Sequence, residues 1–523
     1  MIKNMRLTPI YYIASLAFLM IGCSKDSKED EIDIPNPVLK QYFIDVDKDN
    51  YGNPDQALSK MAETKPDGYA ENGLDCDDEN ELINPIADDY AYDGLDFNCD
   101  GTNEVLVSSF SKTFGGSDLD GAQSVVETTD GSYLIVGYTS SMDGDVTEIN
   151  GDQDVWVTKV DNTGELLWEK NYGGSSSDEA SLIFETNSGD FFILGTTRSN
   201  DGDITSNNSD DNLTDYWMLR IDTDGNLLWQ ETLGGSLAEY PTGIVETADG
   251  HFAIIGSSES PDGDVTDNQG DLDIWFSKIN ASGSLVTSVT FGGSSIDRAE
   301  GFIEDQNGNF IISATTYSID GDLTEVNSDT SGSNWIFKID KDGVILNSNA
   351  YGGDQSDNGS EIINTSDGGY LVGGQSSSNS NGISTNGSSD VWIMKFSENN
   401  QIMWQMNFGG SRNDYTFGLL EIENGYMVLS AVFSGDLDIE RNYGTGNLEP
   451  ILLNLDLNGN IKWQKNYGGS SSDRIKTIIH ASDGGYSMVG TTGSNNYDIK
   501  DLKGRTDAWF LKLDPDFNLS PNQ

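Results

Sequence analysis

Carboxylates dominate the chemistry available to this chain. Asp45, Asp47 and Asp49 alternate just ahead of Tyr51-Gly52, where one short loop can turn three carboxylates toward a common centre. Hard Ca2+ asks for several oxygen ligands of this kind. Asp75, Asp77 and Asp78 around Cys76, then Asp93, Asp96 and Asp100 around Cys99, extend the candidate metal set within the same acidic stretch. The loop is not an EF-hand: counted from Asp45, Asn50 stands where the turn glycine belongs and Gln56 where a bidentate glutamate belongs. The competing reading is that these aspartates are solvated and cap backbone amides in turns.

Two further carboxylate systems repeat along the rest of the chain. Asp143 and Asp145, Asp201 and Asp203, Asp262 and Asp264, and Asp320 and Asp322 each flank a glycine and precede an aliphatic residue and a threonine. Such pairs, with Asn, Thr and carbonyl oxygens nearby, could ligate Ca2+ or could order their own loops as Asx turns. Corresponding loops at Asn381-Gly382-Ile383, Gly435-Asp436-Leu437 and Tyr497-Asp498-Ile499 depart from the pattern, which would confine a site to one side of the molecule. The other system is one acid four residues after a glycine pair: Asp120, Asp178, Glu239, Asp297, Asp357, Asp414 and Asp473. If the strand it opens lines a central channel, these seven form an acidic ring at the channel mouth, where like charges raise one another's pKa or recruit cations. The alternative is that each caps its own turn.

Support for catalysis is thin. His251 and His480 are the only histidines and each adjoins a predicted strand. No GxSxG elbow, HExxH run or phosphate-binding glycine loop is present. A glycosidase needs only two carboxylates, so composition does not exclude one. Arg298 and Arg474 directly follow ring acids, and Arg412 lies close to another, as an acid-binding arginine cluster would.

What positions these groups is a repeat. Second glycines of the pairs fall at Gly116, Gly174, Gly235, Gly293, Gly353, Gly410 and Gly469, with intervals of 58, 61, 58, 60, 57 and 59 residues. That period suits one four-stranded propeller blade with an enlarged loop. In the first unit, strands are predicted over Ala122 to Thr128, Tyr133 to Thr139, Asp154 to Val160 and Leu166 to Asn171, separated by Gly and Asp turns. An aromatic follows the first turn of every unit, from Tyr133 and Phe191 to Tyr486, and all ten tryptophans fall at two repeat positions. Period-locked rings of this size read as inter-blade core. The seventh unit stops after Leu513, while Val105 to Phe110 leads into Phe114-Gly115-Gly116 as other fourth strands do, so the start of the region supplies the missing outer strand. The fold class is all-β: a seven-bladed β-propeller over 105–523, closed by an N-terminal strand and preceded by a small irregular module over 41–104.

Lys3 and Arg6 followed by the apolar run Ile10 to Ile21 read as a signal peptide over 1–22, too short to span a bilayer stably. Gly22-Cys23 resembles a bacterial lipobox, with Cys23 as the lipidated residue and Met20 where leucine is usual. Residues 23–40 then form an acidic, disordered tether. The formal net charge of −59 repels nucleic acid and makes it an unlikely partner. Export would let Cys76 and Cys99 pair, stabilising a core-poor module.

The order DxDxDxYG, PxGY at Pro66 to Tyr69, DCDD, INP at Ile83 to Pro85 and DGxDxNCDG resembles the metal-binding repeat called MopE-like, found in exported bacterial proteins. The resemblance covers about 60 residues and lacks two of that family's four cysteines. The later units resemble exported propeller-like repeats with GGS and DGGY signatures common in outer-membrane lipoproteins. Together these imply a calcium-stabilised lipoprotein, anchored by lipid in the outer membrane with its body at the cell surface or on the periplasmic face. It would act as a binding or scaffold module for a polysaccharide or protein partner, with a glycan-active hydrolase or lyase as the alternative.

Overall fold

The computed structural model describes residues 38–80, 83–85, 99, 109–208, 213–323, 331–439 and 447–519. The stretch read as a signal peptide, Cys23, nearly all of the stretch read as a tether, and Asp93, Asp96 and Asp100 lie outside the described residues. Among the described residues no helix is long and apolar enough to cross a membrane, and no α-helix occurs. The chain separates into two compact units, one holding the described residues up to Cys99 and the other those from Ser109 onward.

The small unit is built on a three-stranded sheet in which Lys40–Ile44 lies between Lys60–Ala62 and Tyr69–Ala70. Few of its side chains are apolar and buried, Tyr42, Ala70 and Ile83 being the main ones. A disulfide joins Cys76 and Cys99, with Cα atoms 5.6 Å apart. It ties the acidic loops together where core is scarce.

The large unit contains seven four-stranded antiparallel sheets, each a propeller-like blade. Their first strands are Asp120–Glu127, Asp178–Glu185, Glu239–Glu246, Asp297–Glu304, Asp357–Asn364, Asp414–Ile422 and Asp473–His480. Each therefore begins at the acid after the glycine pair, two residues earlier than the pattern of apolar residues predicts in the first unit. A bulge interrupts the pairing of every first strand with its neighbour, as between Ala122 and Ser124. Gly137 sits opposite it, and a Cβ there would lie 2.0 Å from the carbonyl oxygen of Gly121, which explains the glycine inside an otherwise bulky strand.

The third-strand tryptophans pack between sheets. Trp156, Trp217, Trp275, Trp335, Trp392 and Trp509 are all buried. Each indole N–H reaches a fourth-strand side chain: Glu169, Gln230, Ser288, Ser348, Gln405 and Ser111 respectively. Their burial makes them core rather than a platform for sugar stacking. The seventh sheet takes its fourth strand from the other end of the unit: Phe110–Phe114 pairs with Asp507–Leu513, in the register Ala508 to Phe114 and Lys512 to Phe110. The closing strand thus runs later than Val105 to Phe110. The Trp509 bond to Ser111 and the immediate turn at Gly115-Gly116 set that register. The first and seventh sheets also bond directly, Thr477 Oγ1 donating to the Gln123 carbonyl at 2.8 Å.

Candidate functional site

In the small unit the acidic loop residues do converge. Asp45, Asp47 and Asp49 form one group, and Asp47, Asp75 and Asp78 another, in which one carboxylate oxygen from each lies within 4.8 Å of the others. One oxygen of each carboxylate holds a turn, accepting from Lys48 N (Asp45), Asp49 N (Asp47), Tyr51 N (Asp49), Asp77 N (Asp75) and Val46 N (Asp78). The remaining oxygens of Asp47, Asp49 and Asp75 are buried and find no partner among the described residues. Three orphaned carboxylate oxygens make a donor set that fits a hard cation such as Ca2+. Burial, reinforced by the neighbouring aspartates, pushes Asp75 up to about 6 and raises Asp47 and Asp78. Asp77 belongs to neither group.

The glycine-flanked aspartates do something different. Asp143 accepts from Ser117 N at 2.7 Å and Asp145 from Gly115 N at 3.0 Å, so the pair holds both ends of one glycine-pair turn. Asp201 and Asp203, Asp262 and Asp264, and Asp320 and Asp322 repeat the arrangement on the next three turns. Two of the loops that depart from the sequence pattern keep the function, Asp436 accepting from Ser411 N, and Asn496 and Asp498 from Ser470 N and Gly468 N. In the fifth unit, by contrast, Asn381 Nδ2 donates to the Gly352 carbonyl and Asp354 accepts from Asn379 N. Among the described residues, clusters of three acids able to hold an ion occur in the small unit and not in these loops.

The acidic ring needs a correction. Asp120, Asp178, Glu239, Asp297, Asp357 and Asp414 are 0% exposed and Asp473 is 1% exposed. Each points back into its own turn. Asp178, for example, accepts from Gly174 N at 2.8 Å, Thr197 Oγ1 at 2.5 Å and Ser199 Oγ at 2.8 Å. The same donors recur around Asp120 and Asp473. Side chains alternate along a strand, so an acid turned into the blade leaves the residues one and three places later on the opposite side.

A second set of buried acids escaped the sequence reading. Asp154, Asp215, Asp273, Asp390, Glu449 and Asp507 open the third strands of six sheets and are 0% exposed; Ser333 takes this place in the fourth sheet. The repeat itself carried that signal. Among the described residues Oδ1 of Asp154, Asp273 and Asp390 has no hydrogen-bond partner of full geometry, and each of these acids faces the turn-capping acid of the next sheet. Burial, then the charges of Asp178, Asp297 and Asp414, pushes them up to about 6.

The inner positions one and three places after each capping acid are Gly121 and Gln123, Glu179 and Ser181, Tyr240 and Thr242, Arg298 and Glu300, Asn358 and Ser360, Tyr415 and Phe417, and Arg474 and Lys476. No two sheets carry the same pair, while glycines, capping acids and tryptophans recur around them. Three adjacent pairs, from Arg298 to Phe417, line a cavity of about 510 Å³ with Tyr317 and Gln375. Glu300 accepts from Thr315 Oγ1 at 3.0 Å, and burial pushes its carboxyl up to about 7 against the pull of Arg298. Arg474 and Lys476 line a second cavity of about 300 Å³ with Tyr138, Phe433 and Gln123. Arg412, unlike Arg298 and Arg474, lines neither cavity.

No family model matches the chain. A curated relative, the regulatory protein FlaEY of Caulobacter vibrioides, is 25% identical over 187 residues, 34% of this chain; the match spans about a fifth of that relative, 19% of its length. Solved structures to which the chain is similar include a Bacteroides caccae protein of unknown function, with 15% identity over 60% of this chain and 90% of that one and a TM-score of 0.35. Hydrazine synthase of Kuenenia stuttgartiensis aligns over 71% and 93% of the two chains at 12% identity and a TM-score of 0.40. Drosophila Plexin A in complex with Semaphorin 1b aligns over 77% and 88% at 8% identity, with a TM-score of 0.40. The propeller reading stands on the chain's own seven sheets rather than on these likenesses.

Proposed function

We propose that this chain is a glycan-binding module: seven blades closed into a ring by Phe110–Phe114, carried on a Ca2+-stapled acidic unit and a lipid anchor at the outer-membrane surface. The observation that supports binding is the contrast between positions. Side chains that build each sheet repeat, whereas the inner pairs differ in all seven. Seven copies of one scaffold serve as an internal comparison, and a surface that varies around it is where recognition resides.

The composition of the larger cavity favours a sugar. Tyr317, Tyr415 and Phe417 offer ring faces, while Arg298, Glu300, Asn358 and Gln375 offer planar hydrogen-bonding groups for hydroxyls. Among the described residues Glu300 is also the only acid lining that cavity. Hydrolysis by the common two-carboxylate routes needs a second acid across the bond to be cut. Binding is therefore the better reading than turnover.

The test is equilibrium binding of the whole chain to an array of oligosaccharides and to peptides, followed by Tyr415→Ala and Arg298→Gln. We expect glycan binding that falls at least tenfold in either variant. Binding confined to peptides, or glycan binding untouched by both variants, would overturn the reading.

A further inference from the structure

Cations in this chain are greatly outnumbered, 28 bases against 87 acids, so an unpaired one is informative. Most basic residues that pack on the sheets hold an acid: Lys159 with Asp130, Arg220 with Asp190, Lys278 with Asp249, Lys395 with Asp367 and Lys512 with Asp483. Arg474 and Lys476 hold none. Among the described residues neither side chain makes a hydrogen bond or an ion pair. Both line the same cavity, and both lie over one ring, Arg474 Cζ 5.9 Å and Lys476 Nζ 5.1 Å from the centroid of Phe417.

Arg474 is exposed and Lys476 half-buried, so the cleft presents two like charges toward solvent, and a bound anion would relieve their mutual repulsion. Burial and then Arg474 push the Lys476 ammonium down, while Glu179 pulls it up by less. Glu179 does not serve as the missing partner: its carboxylate accepts from Gln123 Nε2 at 2.7 Å, and burial favours its neutral form. Asp473 also lines the cavity, but both its oxygens are held by Gly469 N, Thr492 and Ser494. An arginine fork beside a lysine, roofed by an aromatic face, is suited to a carboxylate or a sulfate on a flat ring.

Phe417 links this cleft to the larger cavity, because it lines that cavity while stacking on the two cations. We infer that Arg474 and Lys476 form the subsite for the anionic substituent of an acidic polysaccharide whose neighbouring sugar occupies the cavity of Tyr317, Tyr415 and Phe417. This rests on the glycan reading above and names its ligand class. The overall negative charge of the chain then repels polyanions in general, and the local pair admits one that is held in register.

The deciding experiment is calorimetric titration of the whole chain with matched neutral, uronate-bearing and sulfated oligosaccharides, and with inorganic sulfate. Each is run against wild type, the double variant R474Q/K476Q and the control K341Q, whose residue among the described residues pairs with its neighbour Asp342 alone. We expect the charged oligosaccharides to bind at least tenfold more tightly than the neutral one. The double variant should lose that advantage and its salt dependence while binding the neutral ligand unchanged, and K341Q should behave as wild type. Whether uronate or sulfate gives the larger effect identifies the substituent. Equal affinity for neutral and charged ligands, unmoved by the double variant, would overturn the anionic subsite and leave the glycan reading standing. If no oligosaccharide binds, the glycan reading fails. The anion cleft then stands only if inorganic sulfate binds wild type and not the double variant, and falls otherwise.

Discussion

Replacing Asp154 by asparagine should stabilise the protein at neutral pH, although it removes a fully buried charge at a position acidic in six of seven sheets. Asp154 Oδ2 accepts from Asn150 N at 2.6 Å, while among the described residues Oδ1 accepts no hydrogen bond of full geometry and the Gly151 N–H adds only a weaker pull on the carboxylate. Next to it Asp178 already has its full complement of donors. Burial and the charges of Asp178 and Asp203 hold Asp154 at about 6 in the folded state, against about 4 in an unfolded chain. A raised carboxyl pKa means that the fold prefers the proton. Its contribution is intact below about pH 4 and is lost as pH rises through 6, leaving a cost of about 3 kcal/mol as an upper figure. The introduced amide would keep the bond to Asn150 N through its carbonyl and place an N–H toward Asp178. Above pH 7 the variant should therefore gain up to about 3 kcal/mol, which for a cooperative unit of roughly 400 residues is about 4 °C in Tm. At pH 4 the two proteins should melt together. Scanning calorimetry from pH 4 to 8, with chelator present, reads this directly. A variant less stable than wild type at pH 7.5 would refute the reasoning, and loss of stability only when Ca2+ is supplied would show that the junction holds a cation.

Asp273→Asn and Asp390→Asn should each act in the same direction, and the three should add within about 0.5 kcal/mol because their junctions share no partners, as triple-variant calorimetry will show. Asp75→Asn should weaken Ca2+ binding by the small unit at least tenfold, measured by titration calorimetry, without altering melting of the sheets. Trp217→Ala, which empties a fully buried site, should cost about 3 to 5 kcal/mol in denaturant unfolding. Phe110→Ala removes a buried ring packed edge-on against Phe510 from the strand that completes the seventh sheet, and should cost a similar amount and expose that strand to limited proteolysis. Glu300→Gln should leave the melting temperature unchanged below about pH 4 and raise it increasingly from there to above pH 8, since the burial that pushes Glu300 to about 7 penalises only its charged form.

Repetition made the sheets legible. Gly-Gly turns, the aromatic after each first hairpin and the tryptophans at two positions recur because every blade solves one packing problem, so one unit could be read through seven copies. The missing fourth strand after Leu513 and a spare one before Gly115 pointed to their pairing, though the strand lies at Phe110–Phe114 rather than at its predicted place. Convergence of Asp45, Asp47 and Asp49 was likewise legible, because three alternate residues of one loop can hardly avoid a common centre.

Acid type alone could not say which way a side chain faces. Asp178 and Glu179 are neighbours of the same charge class, yet the first is sealed among backbone and hydroxyl donors while the second belongs to the inner, variable positions. The same held for Asp143 and Asp145, whose spacing suits a cation until Ser117 N and Gly115 N claim them. Local spacing determines turns, strands and the repeat, since these depend on near neighbours in the chain. Which carboxylates are consumed as turn caps, which are buried without a donor, and which cations of one sheet meet the Phe417 ring of another depends on contacts between strands far apart in the sequence, and only the tertiary structure decides it.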